Sequence, residues 1–279
     1  SLTRVPYFAE QAIEFLSEYE QIVLIGAKEP VGFFAYPEVE SLLVPRDCEI
    51  HTLAGVDEDV QSALSILAEL VKAPKETIKQ KSNIASPTGE ILSPANIGDV
   101  IAELLPENAI ISDEGITCGL ELFLRTEGAA KHDWLSITGG AIGQGLPVSL
   151  GASVACPGRK VVAFQGDGSG MYTVQALWSI ARENADVTVV LLNNDSYAIL
   201  NIELARLKVA SSSDKTRSML DLTNPSIDWV SIAKGMGVQA ARSSTVAEFH
   251  SEFERAMKTR GPYLIETMVS QDINAMLKR

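Results

Sequence analysis

The chain has 279 residues and carries 23 Lys plus Arg against 36 Asp plus Glu, a formal net charge of −13. At roughly 150 residues per domain this length suits one large domain or two smaller ones. With 46% apolar and 21% charged residues the composition is that of a globular protein with a substantial core. So acidic a chain repels phosphate backbones and anionic lipid, which excludes nucleic acid and membrane as default partners. No apolar run approaches the roughly 18–20 residues that span a bilayer, and the N-terminus lacks the basic-then-apolar layout of a secretory signal. Three widely spaced cysteines, Cys48, Cys118 and Cys156, argue against a disulfide framework and for a reducing, cytoplasmic compartment. The first residue is Ser1 rather than Met, which suggests that something upstream has been removed.

In chain order, apolar residues at helical spacing (Phe8, Ala12, Phe15, Leu16, Tyr19) predict a helix over 7–19. Ile22 to Ile25, ending at Gly26, reads as a buried parallel strand. An irregular proline-containing stretch over 29–45 follows, then a strand at Glu49 to Leu53 and an amphipathic helix at Asp57 to Val71. Two or three strands make only a partial α/β domain, so residues 1–72 are expected to be a fragment of one. Residues 73–95 are rich in Lys, Ser, Asn, Pro and Gly and read as a linker.

From 96 to 279 the pattern is regular. Helices are expected at Asn96 to Leu105, Thr117 to Arg125, Gly145 to Cys156, Met171 to Glu183, from Asp228, and at Val246 to Lys258. They alternate with strands at Ala109 to Ser112, Trp134 to Ile137, Val161 to Gln165, Val187 to Leu192, Val238 to Ala241 and Tyr263 to Met268. Such alternation predicts an α/β fold with a mostly parallel sheet covered by helices on both faces. Ligands of such sheets sit beyond the strand carboxyl ends, where the topology switches.

Two loops at those ends carry chemistry. Gly166-Asp167-Gly168-Ser169-Gly170 lets the backbone approach a ligand, and a helix start there offers unpaired N–H groups to an anion. Asp167 adds a hard oxygen ligand for a divalent cation, and Asn193-Asn194-Asp195-Ser196 ends the next strand. A right-handed crossover brings both loops to one sheet edge. Singly, each loop is equally well a helix cap or a polar turn. A dinucleotide fingerprint is a competing reading, but the glycine spacing is not G-x-G-x-x-G. His51, His132 and His250 form no metal pattern: His51 follows a strand and His250 lies on a surface-like helix. Cys118 reads as a small buried residue.

Gly166-Asp167-Gly168 followed by Asn193-Asn194 resembles the signature of thiamine-diphosphate-dependent enzymes, in the branch of acetolactate synthase and benzoylformate decarboxylase. The resemblance runs through most of the chain. Residues 96–269 resemble that family's diphosphate-binding domain, and residues 1–72 the second half of its central domain. It implies that Asp167, the Asn194 side chain and the Ser196 carbonyl ligate Mg²⁺. Gly166, Gly168 and Ser169 would hold the diphosphate with Thr117 from the loop Asp113-Glu114-Gly115-Ile116-Thr117. Thr138-Gly139-Gly140-Ala141-Ile142-Gly143 resembles the family's third element, with the Gly140 carbonyl accepting from the aminopyrimidine and Ile142 wedged under the cofactor. On the residues alone, that run also reads as a glycine-rich helix entry with Ile142 in the core.

The implied activity is decarboxylation or carboligation of a small 2-oxo acid, with Ile199 and Leu200 lining an apolar pocket. Some decarboxylases of the family have a glutamate where Leu200 stands, so simple pyruvate-to-acetaldehyde chemistry is not expected. Glu203 reads as a solvated helix residue. The family's catalytic glutamate lies on a pyrimidine-binding domain that nothing in this sequence resembles, so no catalytic residue is assigned in this chain. The expectation is a C-terminal piece that completes its site with that domain, from the same or another subunit of a homo-oligomer, and is weak or inactive alone. Two other classes remain open: a non-catalytic interaction or regulatory module that kept the fold, and a dinucleotide-dependent oxidoreductase.

Overall fold

The computed structural model describes residues 3–76, 84–207 and 213–270. The chain divides into two compact units, Ser1–Lys79 and Gln80–Arg279. Residues 77–83 of the expected linker, and 208–212 and 271–279 of the expected C-terminal domain, lie outside the described residues.

The first unit holds helix α1 (Ala9–Leu16), strands β1 (Gln21–Ile25) and β2 (Glu49–Ala54), and helix α2 (Val60–Leu70). The strands pair in parallel, with Ile22 opposite Ile50. Ala9, Ala12 and Leu16 lie on one helical stripe, and they pack with Leu43 and Val44. The expected burial of β1 is not found: Val23 is 52% exposed, because a two-stranded sheet has little to cover both its faces within this unit. His51 also differs from expectation, lying inside β2 rather than after it.

The second unit runs α3 (Pro94–Leu104), β3 (Ala109–Glu114), α4 (Gly119–Arg125), β4 (His132–Ser136), α5 (Gly145–Ala155), β5 (Val161–Gly166) and α6 (Asp167–Gly170). It continues α7 (Ala176–Arg182), β6 (Val187–Asn193), α8 (Ala198–Arg206), α9 (Asp214–Ser218), α10 (Trp229–Gly235), β7 (Gln239–Ser243), α11 (Val246–Lys258) and β8 (Tyr263–Met268). The sheet has six strands in the order β4-β3-β5-β6-β8-β7, every pair parallel. Side chains alternate across it, as the two-residue period of a strand requires. Val162, Phe164, Val190, Leu192 and Ile265 enter one core with α3 and α11. Val161, Ala163, Val189, Leu191 and Leu264 enter the other, with Leu177 of α7 and Trp229 of α10.

Local signals set the helix ends. Ser93 and Asn96 form a capping box at α3, and Thr245 and Glu248 form one at α11. Asp228 caps α10 by accepting from the Ser231 backbone N–H at 3.1 Å. The continuous helix expected over Met171 to Glu183 is corrected: the chain turns as α6 at 167–170 and becomes helical again only at Ala176. Two glycines in α6 and the turn bonds Tyr172 N–H to Ser169 and Ala176 N–H to Thr173 account for that break.

Phe249 is fully buried and stacks on Phe253 at 5.6 Å between ring centroids. Phe249→Ala is expected to cost about 3–5 kcal/mol of unfolding free energy. Urea titration checks this as a lower midpoint at unchanged slope. A loss below about 1 kcal/mol would contradict the packing described.

Candidate functional site

β4 follows β3 on one side of it while β5 lies on the other, so the topology switches between β3 and β5. At such a point the loops leaving the two strands diverge and open a crevice. The segments meeting there are the turn after β3, α6 after β5 and the turn after β6, all beyond carboxyl ends of parallel strands.

Asp167 opens α6 and is 4% exposed. Its Oδ1 accepts the Gly168 N–H at 2.8 Å and its Oδ2 the Asn194 N–H at 3.1 Å. Asn194 Oδ1 in turn accepts the Ser196 N–H at 3.1 Å. The loop reaches this shape through Asp195, whose φ of 53° is left-handed. Asp167 is therefore brought together with Asn194 and Ser196, 27 and more residues away in sequence. Burial raises the Asp167 pKa from 3.8 to about 6, against the pull of the backbone N–H groups of Gly168, Asn194, Ser196 and Asp195. Gly168 has no room for a side chain, since an added Cβ would lie 2.4 Å from the Tyr197 ring.

The turn after β3 packs beside this pair. A Cβ on Gly166 would sit 3.8 Å from Ile116, and one on Gly115 3.2 Å from Leu192. Thr117 is half-buried and hydrogen bonds to Cys118, whose thiol burial pushes up to about 12, with the charges of Asp167 and Asp113 adding to the rise. Gly139, Gly140 and Gly143 all have positive φ, at 60°, 67° and 91°. The crest of that loop faces open space: nothing lies within 4 Å of a Cβ on Gly139, and Ile142 is 37% exposed. Ile142 is accordingly not a core residue of this unit.

Ile199 and Leu200 stand in the first turn of α8, Ile199 half-buried and Leu200 exposed. A cavity of about 570 Å³ adjoins Ser196, but its wall is polar, with Asn201, Asp214, Arg217 and Asp221, and does not include Ile199 or Leu200. Glu203 is corrected from solvated to largely buried: its side chain is 13% exposed and lies 3.9 Å from Arg206, because α8 turns this face inward. Among the described residues no group of three His, Cys, Asp or Glu could hold a metal ion. The side-chain oxygens in this turn are the Asp167 carboxylate and the Asn194 amide, each met by backbone N–H groups; both are hard oxygen donors of the kind that Mg²⁺ and Ca²⁺ take.

Sequence reasoning gave no packing or bracing role to Tyr197, Glu114, Gln165 or Glu266, which shape this site. Tyr197 fills the space beneath Gly168. Glu114, 1% exposed, accepts from the Gly143 N–H at 2.8 Å, the Gly145 N–H at 2.5 Å and Gln165 Nε2 at 2.9 Å. Glu266, fully buried, accepts from Arg242 Nε at 2.9 Å and Asn193 Nδ2 at 2.8 Å. Asn193 Oδ1 accepts the Asp195 N–H at 2.9 Å, so the Glu266 carboxylate braces the turn carrying Asn194. The signal available was a polar residue inside an apolar strand: Gln165 after Val161-Val162-Ala163-Phe164, and Glu266 within β8. Such residues are buried only when hydrogen-bonded.

A parallel α/β sheet with polar, glycine-rich turns at its switch point defines the class of protein. The profile described as "Thiamine pyrophosphate enzyme, C-terminal TPP binding domain" matches residues 121–267. The chain belongs to this thiamine pyrophosphate enzyme family. It is 44% identical over 270 residues to the Mycobacterium tuberculosis protein IlvX, which carries an acetolactate synthase large subunit name, covering 96% of this chain and 52% of that one. It is 30% identical over 215 residues to benzoylformate decarboxylase of Pseudomonas aeruginosa, covering 77% of this chain and 38% of that one. The thiamine diphosphate-dependent 4-hydroxybenzoylformate decarboxylase of Rhodococcus jostii superposes with a TM-score of 0.76 at 25% identity, over 95% of this chain and 52% of that one. The chain thus spans about half the length of the relatives it matches.

Asp167 gives a pH signature. With its folded-state pKa near 6 against 3.8, the folded chain keeps a proton that the unfolded chain has lost between those values. Unfolding free energy therefore falls as pH rises through that window, and the penalty is fully present above it. Relative to Asp167→Asn, which cannot ionise, the wild type should lose on the order of 2–3 kcal/mol from pH about 4 to about 7 without divalent cations. Urea titrations of both proteins across that range measure it, and a flat difference would contradict desolvation of this carboxylate.

Proposed function

We propose that this chain supplies the diphosphate- and Mg²⁺-binding half of a thiamine-diphosphate site acting on a small 2-oxo acid, by decarboxylation or carboligation. The observation that carries this reading is the contact of Asp167 with Asn194 at the carboxyl ends of adjacent strands. The residues fit the cofactor: a buried carboxylate of raised pKa gains from a cation beside it, and the open crest of the glycine loop leaves space for an organic ring.

In this reading Asp167, Asn194 Oδ1 and the Ser196 carbonyl hold Mg²⁺. Gly166, Gly168 and Ser169 with Thr117 hold the diphosphate. Gly140 and Ile142 meet the pyrimidine and thiazolium end, and Ile199 and Leu200 border the substrate. When bound, the cofactor supplies the nucleophilic carbon and the electron sink. The chain's own work is to bind, orient and exclude water. Apolar side chains beside the reacting carboxylate favour its loss of charge, and rigid backbone holds the cofactor's conformation.

The family's catalytic glutamate belongs to a pyrimidine-binding domain, which we place on the same or another subunit of a homo-oligomer. Residues 1–72 are then the second half of a central domain, in keeping with a first unit that holds two paired strands.

Calorimetric titration with thiamine diphosphate tests this. Binding should require Mg²⁺, vanish with chelator, and weaken at least about 100-fold in Asp167→Ala, the scale of losing a charged ligand. Binding that ignores chelation and the substitution would overturn the assignment of Asp167. Absence of binding even with a matching pyrimidine-binding domain supplied would favour an interaction module.

A further inference from the structure

We infer that Glu114 is a positioning residue that fixes the glycine-rich loop over 139–145 relative to the diphosphate turn at 166–170, acting through Gln165 and Ser169. The inference rests on the cofactor reading above for its purpose, and on the following contacts for its substance.

Glu114 is the last residue of β3, and Gln165 is its partner across the β3–β5 pairing. The Glu114 carboxylate lies at the start of α5, whose N-cap, Gln144, makes no side-chain capping bond. It takes two backbone donors there, the N–H groups of Gly143 and Gly145. A carboxylate is favoured at a helix N-terminus, where donors are unpaired and the dipole is positive. The carbonyls of the same two glycines are held from elsewhere, by Thr173 Oγ1 and Ser112 Oγ, both at 2.9 Å. The base of the loop is thus pinned on both sides while its crest, 139–142, is exposed.

Gln165 carries the connection onward. Its Nε2 donates to Glu114 Oε1 at 2.9 Å and to Ser169 Oγ at 2.8 Å, and Ser169 Oγ donates to the Gly166 carbonyl at 3.2 Å. Those bonds fix the amide's orientation, since its oxygen could not face the Glu114 carboxylate. Gln165 Oε1 is left buried without a hydrogen-bond partner among the described residues. Buried acceptors are seldom left so, and here the exception keeps both donors aimed along the chain of bonds. The approach depends on Gly145: a Cβ there would lie 2.8 Å from both Glu114 Cβ and Gln165 Oε1. One buried path therefore joins the turns after β3, β4 and β5. Glu114 touches no proposed ligand; it acts through the backbone it holds.

The test uses the full chain without cofactor, comparing wild type, Glu114→Gln and Gln165→Met by amide hydrogen exchange. An amide in place of the carboxylate presents an NH₂ to one of the two glycine N–H groups. Exchange at Gly143 and Gly145 should rise about tenfold or more in Glu114→Gln while Val162 and Val190 stay protected. Gln165→Met, which removes both Nε2 bonds but none of the loop's own hydrogen bonds, should raise the same two amides by a smaller factor and serves if the first variant does not fold. Affinities measured with Mg²⁺ add a readout that loss of fold stability alone would not split. Thiamine diphosphate should weaken about tenfold in Glu114→Gln, and inorganic pyrophosphate should stay within about twofold. Exchange at Gly143 and Gly145 unchanged in either folded variant, or equal weakening of both ligands, would overturn the inference. A wild-type chain that binds neither ligand even with a matching pyrimidine-binding domain supplied would instead remove the cofactor reading, leaving the exchange rates to decide whether Glu114 positions the loop.

Discussion

The register of β5 between β3 and β6 is the constraint on which the rest depends. It sets Gln165 opposite Glu114 and Gly166 opposite Leu192, so the chain leaves β5 at the level where β3 and β6 also end. Because strand side chains alternate, a slip of one residue would exchange the two cores of the sheet and turn Phe164 toward the side now filled by Ala163. The apolar cores thus fix the alignment of polar residues at the strand ends. Asp167 meets the turn after β6 as a consequence of packing some distance below it.

Asp113, Glu114, Asp167 and Glu266 are all buried along this end of the sheet, and the surroundings of the last three differ. Glu266 has a cationic partner, Arg242, and accepts a second bond from Asn193. Glu114 has no ion pair among the described residues and is met by two helix-start N–H groups and an amide. Asp167 has N–H donors too, yet burial still outweighs them, as its raised pKa shows. Removing a charge from water costs several kcal/mol unless partners replace the lost solvation. At Asp167 the backbone donors do not make up that loss, and on our reading the deficit is what a divalent cation fills.

Much of this architecture was legible because it is local or periodic. The α11 and β8 boundaries, 246–258 and 263–268, follow from an amphipathic run with a T-x-x-E start and a strand that opens on the apolar run Tyr263-Leu264-Ile265. The sheet was readable from the alternation of such runs. What could not be read was non-local. A helix was expected across 171–175, where turn bonds interrupt it. α8 has little apolar periodicity to announce it, and its inward turn buries Glu203. The bonds from Glu114 to Gly143 and Gly145 bridge 29 and 31 residues, and no spacing rule reaches that far. The turns holding Asp167 and Asn194 were visible as motifs, but the bond that unites them depends on strand order.

Charge gives a final constraint on how such a site could bind an anion. The chain is acidic overall, at −13, and none of the turns gathered at the switch point, 113–117, 138–145, 166–170 and 193–197, contains Lys or Arg. A diphosphate would approach Asp113, Glu114, Asp167 and Asp195 with no basic side chain from these turns to offset the repulsion. Backbone N–H groups supply partial charges, enough to orient phosphate oxygens but small beside these carboxylates. The missing positive charge then has to arrive as an ion. This makes metal and diphosphate mutually dependent ligands: each lowers the electrostatic cost of the other, as linkage between two sites requires. On our reading it also gives Asp167 a gain from burial despite the cost. In a low-dielectric turn its attraction for a cation is strengthened, so the same desolvation that destabilises the empty carboxylate sharpens its preference for a charged occupant.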